Sequence, residues 1–103
     1  MFVDKVFGVR GASARDVAGF VERSAGLAPS PRRSSYLGSY WTVALGGGEL
    51  QICDWILPDG EPLYDLPETY DVAIRAYGNV PERVDAIIES WSIHFELLDV
   101  ESG

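Results

Sequence analysis

Apolar positions along the chain recur with two periods, and the elements follow from where one gives way to the other. Residues 2–10 are rich in Val and Phe and end at Gly11, the pattern of a strand. Val17, Phe20 and Val21 then fall at i, i+3 and i+4, on one face of a helix. Ser13 is a natural N-cap, Asp16 favours the first turn and Gly26 suits the stop, so the helix is expected over 14–25. Residues 27–35, with two prolines and three serines, read as a surface loop. Segments 39–45 and 49–57 flank Gly46-Gly47-Gly48 and read as a hairpin. In its first strand Trp41, Val43 and Leu45 share one face, and Tyr40, Thr42 and Ala44 the other. In its second, Leu50, Ile52, Asp54 and Ile56 oppose Gln51, Cys53, Trp55 and Leu57. Both faces carry apolar groups, so part of each is expected to be covered.

Residues 69–77 alternate, with Tyr70, Val72, Ile74 and Ala76 on one side and Asp71, Ala73, Arg75 and Tyr77 on the other. Asn79 and Glu82 make a start like a capping box, and Val84, Ile87, Ile88 and Trp91 form an apolar stripe, so a second helix is expected over 80–91. Residues 93–100 close as a strand. The expected order is β-α-β-β-β-α-β. Two amphipathic helices each need a surface to cover, which predicts an α+β fold. It is a two-layer α/β sandwich with a mainly antiparallel five-stranded sheet and both helices on one face, a ferredoxin-like variant. At 103 residues this is one domain, 1–103, large enough for a single core.

Charge changes the picture more than composition does. The net charge is −8, unevenly spread. Residues 1–33 hold six basic and three acidic residues, and residues 34–103 hold two basic and thirteen acidic. Such a surface repels a phosphate backbone and steers basic partners toward it, so no nucleic-acid partner is expected. Arg32 and Arg33 are more naturally paired with the chain's own carboxylates. No apolar run reaches the roughly 20 residues of a membrane span. The N-terminus also lacks the pattern of a secretory signal, so a cytoplasmic protein without a membrane partner is expected.

The acidic segment is the candidate for chemistry. Residues 58–68 read PDGEPLYDLPE, inside a stretch from Asp54 to Asp71 with six carboxylates and no Lys or Arg. The spacing fails the calcium-loop pattern, because Pro62 follows Asp59-Gly60-Glu61 where that loop needs further ligands. The lone His94 and the single Cys53 supply neither a zinc set nor a disulfide. No nucleophile motif occurs, and Gly46-Gly47-Gly48 precedes a strand where a phosphate loop precedes a helix. No catalytic residue, metal or cofactor is therefore expected. What remains is a recognition surface. Asp54, Asp59, Glu61, Asp65, Glu68 and Asp71 are placed to meet Lys or Arg of a partner, with Tyr64 as the apolar anchor. Prolines 58, 62 and 67 stiffen the segment.

One longer pattern carries a resemblance. The run Arg33-Ser34-Ser35-Tyr36-Leu37-Gly38-Ser39-Tyr40-Trp41 opens a strand. The acidic, proline-bearing loop, the strand at 69–77, a short helix and a closing strand ending Phe95-Glu96-Leu97-Leu98 follow. Over residues 30–100 this arrangement resembles cognate immunity proteins of polymorphic or contact-dependent toxin systems. The resemblance implies a non-enzymatic inhibitor that binds a toxin domain, often a basic nuclease, at or near its active site. Two other classes stay open at this point: a dimeric small-ligand or regulatory module, and a small enzyme using paired carboxylates or Cys53 with His94.

Overall fold

A computed structural model describes residues 3–63, 70–79, 86 and 95–102. The chain begins with strand β1 (Val3–Val9) and helix α1 (Ala14–Ala25). Strands β2 (Ser30–Ser34), β3 (Gly38–Ala44), β4 (Gly47–Asp54), β5 (Val72–Asn79) and β6 (Phe95–Ser102) follow. They form one six-stranded sheet in the order β2-β3-β4-β5-β1-β6, every neighbouring pair antiparallel. Because β5 is antiparallel to both β1 and β4, those two run parallel with β5 between them.

The α+β class and the antiparallel sheet agree with the sequence reading, but the element order does not. Six strands replace the expected five, and α1 is the one helix with a range among the described residues. The second helix, expected over 80–91, lies outside the described residues apart from Ala86. The extra strand is β2, where a loop was expected. Its side chains are almost all exposed, so no hydrophobic alternation announces it. It is held by backbone pairing to β3 alone, at the sheet edge, where Pro31 is tolerated because an edge strand needs donors on one side only.

Helix α1 forms where its cap and apolar stripe coincide. Ser13 Oγ accepts from Asp16 N at 3.1 Å, and the Asp16 carboxylate accepts from Ser13 N at 3.2 Å. Gly26 closes the helix, its N–H donating to the Glu22 carbonyl. The buried face, Val17, Ala18 and Val21, lies over β3 and β4 against Val43, Leu50 and Ile52. Phe7, Val9, Val72, Ile74 and Ala76 continue this core across the sheet.

A second, smaller cluster lies on the opposite face. Register places Tyr40 beside Cys53, Cys53 beside Ala73, and Ala73 beside Gly8. These residues alternate with the helix-facing Trp41, Ile52, Ile74 and Phe7 and so point away from α1. Over them sit Trp55 and Tyr70, with Leu37 and Leu63 at the margin. Tyr70 was expected on the same face as Val72, which is incorrect. The alternation starts only at Val72, and the bend at Asp71 sends Tyr70 to the other side.

Gly8 makes that position possible. A Cβ there would lie 2.6 Å from Tyr70 Cγ and meet the ring at three atoms. Gly8→Ala is therefore expected to lower stability by about 1–3 kcal/mol, the usual cost of overpacking. Urea unfolding measures it. In a Tyr70→Ala background the same substitution should cost much less, and equal costs in both backgrounds would refute the contact.

Candidate functional site: the acidic hairpin and the face opposite α1

Beyond β4 the chain does not wander as an open loop. Trp55 N donates to the Asp71 carbonyl at 3.0 Å, carrying the β4–β5 pairing past the end of the strands. Leu63 N donates to Trp55 O at 2.7 Å, Leu57 N donates to Glu61 O at 2.8 Å, and Ile56 bridges Pro62. Residues 55–63 are thus a miniature antiparallel hairpin. Its turn follows from local chemistry. Pro58 pre-sets φ at the first central position, and Gly60 N donates to the Leu57 carbonyl at 2.9 Å. Asp59 Oδ1 accepts from Glu61 N at 2.9 Å, and Gly60 takes φ +87°, a conformation that glycine reaches without strain.

Burial alternates along this hairpin. Trp55 and Leu57 are buried, and Ile56 between them is 49% exposed. Trp55 packs edge-to-face on Tyr70, ring centroids 4.9 Å apart, and the Arg10 guanidinium stacks over the other ring at 4.4 Å from its centroid. The start of the acidic segment is therefore pinned to the face opposite α1 by large rings. Burying a side chain of this size is worth several kcal/mol, well above the ~0–1 kcal/mol of an exposed ion pair.

The candidate partner residues divide into three groups. Asp54, Asp59 and Glu61 are exposed, at the end of β4 and along the hairpin. Asp71 is also exposed, but its Oδ2 accepts from Gly11 N at 2.7 Å and its backbone bonds to Val9 and Trp55. Asp71 ties the end of β1 to the start of β5. Tyr64, Asp65 and Glu68 lie outside the described residues, as does His94. Among the described residues the carboxylates, Cys53 and their neighbours gather into no group of three or more metal-binding side chains.

Cys53 sits beneath the ring cluster, buried. Burial, and next the negative charge of Asp54, push its thiol up to about 11, against a smaller opposing hydrogen bond with Gln51. The thiol is thus neutral and inaccessible, a packing group in place of a nucleophile.

Farther along the face opposite α1 the sheet carries more polar groups. Thr42, Gln51, Arg75 and Val6 form one row by register. Arg32 Nε donates to Thr42 Oγ1 at 3.3 Å, Tyr77 donates to the Glu49 carboxylate, and Arg75 lies over the Tyr77 ring at 5.1 Å. On the helix side, a groove of about 350 Å³ runs between α1 and the β2–β3 edge. Trp41, Pro29 and Pro31 line it, with Arg15 and Glu22 among its charged groups. No helix among the described residues is long and apolar enough to cross a membrane.

The exposure of Ile56 was not evident from its place in the apolar triplet Trp55-Ile56-Leu57. The signal was present: Ile56 shares its side of the strand pattern with Asp54, whereas Trp55 and Leu57 share theirs with Cys53. Comparison with known proteins adds no relative, since no family model, curated protein or solved structure matches the chain.

Three outcomes test this geometry. The Cys53 pKa is raised in the fold above its ordinary value near 9, so its contribution is intact below pH 9 and is lost as pH rises through about 11. The stability difference between wild type and Cys53→Ala should shift against wild type across that window and stay level below it. Alkylation by iodoacetamide at pH 8 should be slow in the folded protein and rapid in urea. Asp71→Ala should lower stability by about 1 kcal/mol through the lost bond to Gly11 N, read from the urea midpoint.

Proposed function

We propose that the protein is a non-enzymatic immunity protein, which binds a cognate basic toxin domain of the nuclease type in the cytoplasm and blocks it. The observation that supports this most is the fixed acidic hairpin. Asp54, Asp59 and Glu61 project into solvent from a segment whose Trp55 and Leu57 are buried. A carboxylate held on a rigid turn loses little conformational freedom when it meets a Lys or Arg, so more of the interaction appears as affinity. Net charge −8 supplies the long-range attraction that speeds such an encounter. Tyr64, Asp65 and Glu68 extend the same surface in this reading, and Asp71 contributes by holding its base.

A dimeric small-ligand module is the second reading, favoured by the groove beside Trp41. Trp41→Ala separates the two: it should leave toxin protection intact under the first and abolish function under the second.

The main test begins at the adjacent reading frame, whose product is made and used as the candidate toxin domain. Co-expression should rescue growth. Asp59→Lys with Glu61→Lys should slow association about tenfold or more at low salt and flatten its dependence on ionic strength. Unchanged association rate and salt dependence would remove the hairpin from the interface, and an absence of binding by wild type would reject the immunity role.

A further inference from the structure

Among the described residues, two large hydrophobic side chains are exposed, Tyr36 at 61% and Ile56 at 49%. Single exposed hydrophobics are ordinary on a protein surface. The arrangement of these two is not, because the turn that carries Tyr36 adjoins the hairpin that carries Ile56. Tyr36 lies in the β2–β3 turn, and Ile56 begins the hairpin beside it. The turns meet where Pro58 lies so close to Gly38 that a Cβ on that glycine would be 3.0 Å from Pro58 Cγ.

Both turns are held independently of any partner. Ser34 Oγ accepts from Leu37 N at 2.8 Å, and Leu37 packs inward on the ring cluster, so Tyr36 is directed outward from a braced turn. Trp55 and Leu57, buried on either side of Ile56, leave it facing out. Asp54 precedes Ile56 by two residues, and Asp59 and Glu61 follow it, all exposed. Neither Tyr36 nor Ile56 has a charge to satisfy, and neither adds to the two cores. Rigid apolar side chains beside carboxylates have the composition of an interface centre with a polar rim.

We infer that Tyr36 and Ile56 are the apolar anchors of the partner-binding surface, and that the occupant is a basic protein face presenting apolar recesses rimmed by Lys or Arg. This rests on the immunity reading and adds to it. The carboxylates set the encounter rate, and the two anchors set the lifetime of the complex. It also moves the centre of the surface from residues 58–68 toward the junction of the two turns.

The experiment measures association and dissociation of the same candidate toxin domain with wild type, Tyr36→Ala, Ile56→Ala, the double variant, and Asp59→Lys with Glu61→Lys. Ser24→Ala, an exposed position on α1, serves as the control. Each anchor variant should raise the dissociation rate about tenfold or more while leaving the salt dependence of association unchanged. The thermal midpoint of each should match wild type, because both side chains are largely in water already. If both anchor variants dissociate like wild type while the charge-reversed variant associates slowly, the anchors are wrong and the immunity reading stands. If wild type does not bind, both fall.

Discussion

The stacking of Trp55 on Tyr70 above Gly8 is the contact on which the described architecture of the acidic segment depends. A six-stranded sheet has two faces, and α1 covers only one of them. Apolar groups on the other face, Cys53 and Ala73 among them, need a cover, and the chain supplies it from both ends of the segment between β4 and β5. Trp55 enters from one end and Tyr70 from the other, and the ring of Tyr70 reaches the sheet because residue 8 has no side chain. The backbone bonds of Asp71 to Val9 and Trp55 hold the two ends in register.

That anchoring separates two roles that the acidic composition blurs. Rings and backbone bonds determine shape, and the carboxylates ride on it. Asp71 shows that a carboxylate in such a stretch is not automatically a binding group, since it clamps Gly11. Asp59 shapes its own turn by accepting from Glu61 N and still faces solvent. The burial of Cys53 under the rings likewise gives a thiol no route to solvent, which is the physical reason it is read as packing.

The polar remainder of the face opposite α1 follows the same logic at lower stakes. Contacts among Arg32, Thr42, Glu49, Arg75 and Tyr77, across strands and, for Arg75 and Tyr77, along β5, satisfy groups that already touch water. Each is worth a fraction of a kcal/mol to about 1 kcal/mol, so this region specifies register more than it supplies stability. The edge strand β2 belongs with it. Pro31 and two arginines give a strand that pairs inward through its backbone and offers an incoming chain a poor template.

The sequence by itself determined what local chemistry decides. The Ser13–Asp16 cap and the Val17–Val21 stripe specify α1 over the expected 14–25, because capping and helical period are properties of a few adjacent residues. The hairpin across the three glycines and the two-sided character of β4 were legible for the same reason. Strand β2 was not, because an edge strand with exposed side chains has no period to read and exists only through its neighbour. The side on which Tyr70 lies was not legible either, since one bend at Asp71 ends the alternation. Nor was the identity of the exposed hydrophobics. Whether Ile56 faces water depends on where the sheet, the rings and the β2–β3 turn meet, and that is settled by contacts between residues far apart in the chain.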